Sequence, residues 1–415
     1  MKIAVVGTGI SGMVAAHLLA PEHDLTVFEA ADYIGGHTNT IDVELDGRTY
    51  AVDTGFIVYN DWTYPNFIAL LAQLGVATQP SSMSFSVRDE ASGLEYNGTT
   101  INTLFAQRRN LFRPSFYRMI LDILRFNRES KELLQADDDT TTLHDYLAMH
   151  RYSAEFIEQY IVPMGSAIWS ADPAQMRDFP ARYFVRFFDN HGMLSVGNRP
   201  QWRVIRGGSN RYIEALTKRY RSRIRLRVPV RSIQRFPDQV VVTTDHGPER
   251  FDRVVIATHS DQALAMLADP TRPEQEILGA IRYQENEAVL HTDASLLPRR
   301  RLAWASWNYH LLDRPAHRVA VTYHMNTLQT LRAPVEFCVT LNRTEAIDPA
   351  KIVKRITYHH PVYTRDTVAA QRRHKEINGA NRTHYCGAYW SYGFHEDGVK
   401  SALAVCRHFG KGLDS

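Results

Sequence analysis

The first thirty-six residues constrain this chain more than any other stretch. Lys2-Ile3-Ala4-Val5-Val6 is a short apolar run, Gly7-Thr8-Gly9-Ile10-Ser11-Gly12 follows at once, and helix formers continue from Met13 to Leu19 before Pro21. This is the G-x-G-x-x-G fingerprint in the context it requires. Gly7 permits the tight turn, Gly9 lets backbone approach a pyrophosphate, and Gly12 lets the helix pack close to the strand. The free N–H groups around Ile10 and Ser11, with the positive end of the helix dipole, then face the phosphates. A second strand, Leu25-Thr26-Val27-Phe28, ends at Glu29 and Ala30, where a carboxylate can accept hydrogen bonds from an adenosine ribose. The ligand this order predicts is a dinucleotide.

A further glycine pair, Gly35-Gly36, comes about one turn later and leads into His37-Thr38, which suggests backbone approaching the ligand a second time. No other G-x-G-x-x-G follows a strand, and this argues against a built-in nicotinamide site. The opening resembles the flavin-dependent amine oxidase and phytoene desaturase superfamily, whose pattern is G-x-G-x-x-G, then an acid, then G-G-R or G-G-H. Val52-Asp53-Thr54-Gly55-Phe56-Ile57-Val58-Tyr59-Asn60, Thr63-Tyr64-Pro65-Asn66-Phe67 and the run from Cys386-Gly387-Ala388 to Phe394-His395-Glu396-Asp397-Gly398 resemble a bacterial branch of NAD/FAD-binding proteins. That branch is similar to the flavoprotein domain of plant cyclopropane fatty acid synthases and to desaturases of methylated fatty acyl chains.

The resemblance covers nearly the whole chain, and it implies FAD as the cofactor. It implies an α/β fold with a Rossmann-like FAD-binding domain (1–80, 191–260 and 366–415) and a second, α+β substrate domain (81–190 and 261–365), as in amine oxidases. It places Gly35 and Gly36 along the pyrophosphate and ribityl chain, the Val230 backbone on the adenine, and Ala257-Thr258 close to the cofactor. Thr54, Gly55, Phe56, Gly387, Phe394 and Gly398 join the same set. The family's ribityl-binding acid is replaced here by Ala388, so Glu396 or Asp397 is expected to compensate.

Composition excludes several classes. The 415 residues are 44% hydrophobic and 22% charged with a net charge of +3, ordinary for a soluble globular chain, and no zinc-finger or RNA-binding pattern points to nucleic acid. Cys338, Cys386 and Cys406 lack C-x-x-C spacing, which predicts neither disulfides nor a metal site and fits a reducing cytoplasm. The first strand begins at Lys2, leaving no room for a signal peptide, and no stretch of eighteen apolar residues could span a membrane.

Along the chain, alternation around Asp46-Gly47 predicts a hairpin over Thr40 to Val52, and Met83 to Tyr96 predicts a second one turning at Ala91-Ser92-Gly93, both as insertions on a parallel core. Residues 107–128 carry six arginines, one acid and many large apolar side chains. Such a segment either lies on an anionic membrane surface, on the inner face of the membrane, or is an ordinary packed helix with a solvated basic face. Leu143 to Trp169 reads as mainly helical with an interruption at Pro163-Met164-Gly165, and Ile224 to Val230 as one strand. Trp169 could line a cavity or belong to the core.

FAD carries hydride chemistry itself, so the protein must orient a C–H bond and provide a proton acceptor. Tyr309, Tyr323, His360, Tyr392 and His395 are the catalytic candidates by residue type and context, with His359 beside them. The expected function is oxidation, most simply desaturation, of a hydrophobic acyl chain, including one carried on a phospholipid. Oxidation of an amine or polyene is the enzymatic alternative. An accessory flavoprotein for a lipid-modifying methyltransferase is the alternative from another class.

Overall fold

The computed structural model describes residues 1–135, 138–313 and 318–413. A five-stranded parallel sheet runs in the order Ile224–Arg225, Asp24–Phe28, Lys2–Val6, Arg253–Ile256, Thr383–Tyr385. Its inner strands are buried on both faces, which is why they read as unbroken apolar runs rather than alternating ones. Val6 stands level with Phe28 on one side and Ile256 on the other. Three strands therefore end together, and Gly7, Glu29 and Ala257 share one edge of the sheet. Helices Ile10–Leu19 and His395–Cys406 cover one face, in a core with Val5, Val27 and Val255. A three-stranded antiparallel sheet, Val230–Arg235, Val240–Thr244 and Gly247–Phe251, covers the other.

A seven-stranded mixed sheet forms the second centre, in the order Ile352–Pro361, Tyr283–His291, Cys338–Leu341, Val321–His324, Trp307–Leu311, Phe85–Asp89, Glu95–Asn97. Its strands all fall within 81–190 and 261–365, and those of the parallel sheet within 1–80, 191–260 and 366–415. A helical layer packs beside it around Phe126, Phe156, Phe184 and Phe188.

Three local expectations are corrected. The hairpin after Met83 is no insertion on the parallel core: Phe85–Asp89 pairs in parallel with Trp307–Leu311 and closes one edge of the seven-stranded sheet. Its alternation buries Val87 and Tyr96, which a strand achieves only against a sheet with one covered face. The stretch expected as one strand from Ile224 to Val230 breaks at Arg227, whose φ of 58° turns the chain from the parallel sheet into the antiparallel one. Pro163 does not interrupt its helix. Residues Ile157–Ile161 widen into a π-helical turn, and Pro163 falls in the first turn of Val162–Trp169, where its missing N–H is least costly. Trp169 belongs to the core, 4.6 Å from the Phe179 ring and 4.8 Å from Phe187.

Candidate functional site

The three fingerprint glycines answer to different neighbours. Gly7 has φ +102°, and a Cβ on it would stand 2.9 Å from the Ala257 carbonyl oxygen. A Cβ on Gly12 would lie 2.0 Å from the Gly7 oxygen, whereas one on Gly9 would meet nothing within 4 Å. The protein itself demands the first and third; the second faces open space. Gly36 closes the far side of that space, since a Cβ there would reach the Gly9 Cα at 3.2 Å. The helix beginning at Ile10 has no side-chain cap, which leaves the N–H groups of its first turn for a ligand. Gly398, in the first turn of His395–Cys406, packs so closely on Ile10 and Ser11 that a Cβ would come within 2.6 Å of the former. Two helix N-termini thus meet at one glycine-lined cradle, and it fits a dinucleotide pyrophosphate.

Glu29 closes the adenosine end. Its carboxylate accepts from the Thr8 N–H (2.9 Å), the Thr8 hydroxyl (2.5 Å) and the Ala31 N–H (2.8 Å), yet the residue is only half-buried and keeps lone pairs for a ribose. Ala30 beside it is exposed. The Val228 N–H donates to the Glu29 oxygen at 2.9 Å, which brings the start of the strand at Val230 to this end. Thr258, with Ala257, backs the Gly7 turn.

The second glycine turn is held from two sides. The His37 oxygen accepts from the Phe56 N–H at 2.7 Å, and Gly55 is packed so tightly there that a Cβ would stand 2.2 Å from it. Thr54 exchanges a hydrogen bond of 3.0 Å with the Tyr358 hydroxyl, to which Asn39 donates at 3.1 Å. The His37 ring stacks on Tyr358 at 4.8 Å and approaches His360 at 5.3 Å, and its Nε2 is buried without a partner among the described residues. Burial, with repulsion from neighbouring imidazoles, pushes His37 and His259 down to about 4 and His360 to about 3, so all three are neutral near pH 7.

The five catalytic candidates do not converge. His395 is buried, stacked on Phe56 at 3.4 Å, and its Nε2 lies 3.0 Å from both the Thr38 and the Tyr212 hydroxyls. It braces the turn from Gly35 to Thr38. Tyr392 sits apart, on a pocket of about 380 Å³ shared with Tyr183, Arg186 and Arg372. Tyr309 and Tyr323 stand on the inner strands of the seven-stranded sheet, where burial holds both phenols protonated. His360 stands on the edge strand near His37, and His359, next in the chain, is exposed.

The hydrogen-bond network assigns the His360 tautomer. The Asn286 amide oxygen accepts from Asn342 at 2.8 Å, so its NH₂ donates to His360 Nδ1 at 3.0 Å. Nε2 then carries the proton, which makes that nitrogen a hydrogen-bond donor. Sequence reasoning missed Asn286; only the fold brings it to His360.

Glu396 and Asp397, the acids expected to compensate for Ala388, are both engaged by donors of the protein itself. Glu396 accepts from the Asn66 side chain (2.6 Å) and the Phe67 N–H (2.9 Å), fastening the start of helix Pro65–Gln73. Asp397, raised to about 6 by burial, accepts from the Phe394 N–H at 3.0 Å. Gly387, beside Ala388, donates its N–H to Ser401 at 2.9 Å.

Comparison with known proteins agrees with the cradle. Residues 10–292 match the family described as flavin containing amine oxidoreductase. A protein named as a flavin-containing monoamine oxidase, AofH of Mycobacterium tuberculosis, is 25% identical over 284 residues, 66% of this chain. The flavin-containing amine oxidase A of Canis lupus familiaris is 24% identical over 58% of this chain and 46% of its own length. The chain spans 60% of the length of AofH. Among solved structures, a CLA-producing fatty acid isomerase from P. acnes has a TM-score of 0.71 at 17% identity, covering 98% of both chains. Cyclohexylamine oxidase from Brevibacterium oxydans has 0.67 at 16%, covering 99% of both. This chain belongs to the flavin containing amine oxidoreductase family, and its cofactor is FAD.

Proposed function

We propose that this flavin oxidoreductase dehydrogenates a hydrophobic, uncharged chain, of which a fatty acyl group is the simplest example. The observation that carries the reading is the neutral aromatic wall of the second sheet. Phe85, Trp307, Tyr309 and Tyr323 come from adjacent strands, and Tyr160 from the helical layer packs against the same core. Tyr160 and Tyr323 are half-buried, and burial raises both phenols above their ordinary pKa. Among the described residues no carboxylate or ammonium hydrogen-bonds to any of these five side chains, and burial keeps the Tyr160, Tyr309 and Tyr323 phenols neutral. A lining with apolar rings and few convergent polar groups excludes water and orients an apolar ligand.

The wall and the cofactor turn meet one sheet: His360 on its edge strand pairs with Gln284 on the next, and Tyr323 stands two strands further in. FAD, when bound, would take up the two electrons and both protons that such a dehydrogenation releases, so the reaction balances without a protein group keeping a proton. The protein's own groups hold the substrate, keep the site dry and present the His360 Nε2–H. Amine oxidation is favoured by the name of AofH, but among the described residues no carboxylate hydrogen-bonds to the aromatic wall, and Asp172 and Glu158 act on Tyr309 only at longer range. The test is the absorption spectrum of purified protein during anaerobic addition of acyl phospholipids, free fatty acids or primary amines. Loss of the oxidised flavin band with an acyl chain supports the proposal, and bleaching by amines alone overturns it.

A further inference from the structure

Helix Pro114–Glu129 is apolar on two faces. Phe116, Met119 and Phe126 face inward, as an amphipathic helix requires. The outward face, where polar residues belong, carries Tyr117, Leu121 and Leu124, with Leu121 66% exposed. The turn before it adds Leu111 and Phe112, and the short helix Ile101–Leu104 adds Ile101; Phe112 is 88% and Ile101 80% exposed. Of these, Leu111, Phe112, Tyr117 and Leu121 border an open groove of about 610 Å³, with Pro114 and Arg118. An exposed apolar patch of this kind marks an interaction surface.

Its charge says what the surface meets. Arg118 lines the groove, Arg108, Arg109 and Arg113 belong to the segment leading into it, and the nearby acids, Asp122 and Glu129, are both taken by Arg125 and Arg128. Arg108 and Arg109 donate to the main-chain oxygens of Phe105 (2.9 Å) and Gly93 (2.8 Å), which leaves their charge uncompensated. Arg113 and Arg118 form no ion pair among the described residues. Large apolar side chains ringed by uncompensated guanidinium groups complement a phospholipid surface with anionic headgroups: the rings and leucines enter the acyl boundary and the arginines stay at the phosphates. We infer that residues 101–128 dock this protein on an anionic membrane surface. The inward face of the helix joins the core that holds Tyr309 and Tyr96, with Phe116 5.8 Å from Tyr96 and 5.5 Å from Phe105, so the helix that carries the docking face packs on the same core as the aromatic wall.

Co-sedimentation of the full chain with vesicles tests this without turnover, so the result stands apart from the acyl-chain proposal. Binding is expected to vesicles containing phosphatidylglycerol and to be much weaker with phosphatidylcholine alone. The double variant Phe112→Ser and Leu121→Ser, both on the surface and checked for native circular dichroism, is expected to abolish it. Arg113→Gln and Arg118→Gln are each expected to weaken it roughly fivefold at low salt. Absence of binding to anionic vesicles, or binding that the double serine variant leaves intact, overturns the inference. So does a dimer of the wild-type chain that this variant disperses, because the patch would then be a contact between copies.

Discussion

Replacing Gly9 by alanine separates what the fold needs from what the cofactor needs. Gly9 has φ −63° and ψ 173°, a conformation open to any residue, and a Cβ there meets no protein atom within 4 Å. The flavin-free protein therefore loses nothing, and reduced freedom of the unfolded chain adds about 0.4–1 kcal/mol of stability. The same methyl group projects into the space that the uncapped helix start and Gly36 enclose. Overpacking a close contact costs about 1–3 kcal/mol, which predicts FAD binding roughly five- to 150-fold weaker. Gly12→Ala is the control: its Cβ falls 2.0 Å from the Gly7 oxygen, so it destabilises the protein with or without flavin. Thermal unfolding of flavin-stripped protein and fluorescence titration with FAD measure the two effects. If Gly9→Ala binds FAD as tightly as the parent, or lowers the melting temperature of the stripped protein as Gly12→Ala does, the cradle is misassigned.

Glu274→Ala is expected to cost about 3–5 kcal/mol in urea unfolding, since it strands the buried Arg235 guanidinium now held at 2.7 and 2.9 Å and removes the partner of the Tyr385 hydroxyl. A loss below about 1 kcal/mol would show that Asp269 alone suffices for that charge. Acidification is expected to destabilise the protein between pH 6.5 and about 4, because the unfolded chain protonates imidazoles that stay neutral in the native protein at His37, His259 and His360. Asp53 and Asp397, raised to about 6, retain protons that the unfolded chain gives up and so oppose the trend, but His191 and His291, also lowered to about 4, widen the imbalance in favour of the histidines. A melting temperature that is flat or rises over this interval refutes the balance.

The cofactor half was legible because its signals are local. Residues 2–29 encode strand, turn, helix, strand and acid in consecutive letters, and each letter answers to a neighbour within that unit or to the adjacent strand end at Ala257. Asp46-Gly47 likewise announced its hairpin, with φ values of 50° and 72° at the two turn residues. What the sequence hid was non-local or conformational. Arg227 and Ser170 adopt positive φ without being glycine, and no pattern of letters marks that. Glu396 resembled a cofactor ligand by position in a motif, yet its oxygens serve the start of a helix more than three hundred residues earlier in the chain. His395 and Tyr392 stand three residues apart and face separate environments, since a turn at Gly393 with φ +91° divides them. Residue type could nominate them, and only the packing could part them.

His37 ties the two halves together and offers the sharpest test of how the cofactor turn is held. Its main-chain oxygen anchors Phe56, its ring lies on Tyr358 of the second sheet, and its Nε2 lacks a partner among the described residues. A buried polar atom left over in this way marks a contact that the protein alone does not supply. The related pattern with arginine after the glycine pair would place a permanent charge at this position. No acid partners His37 here, and His259, His359 and His360 are its titratable neighbours, so a guanidinium finds compensation only in an anionic ligand. His37→Arg is thus expected to cost about 3–5 kcal/mol in the flavin-stripped protein. Saturating FAD is expected to restore most of that stability, because the phosphates pair the charge. Melting curves with and without FAD decide it. If the variant is equally unstable in both, the His37 side chain points away from the phosphates, and the turn from Gly35 to Thr38 meets the cofactor through its backbone alone.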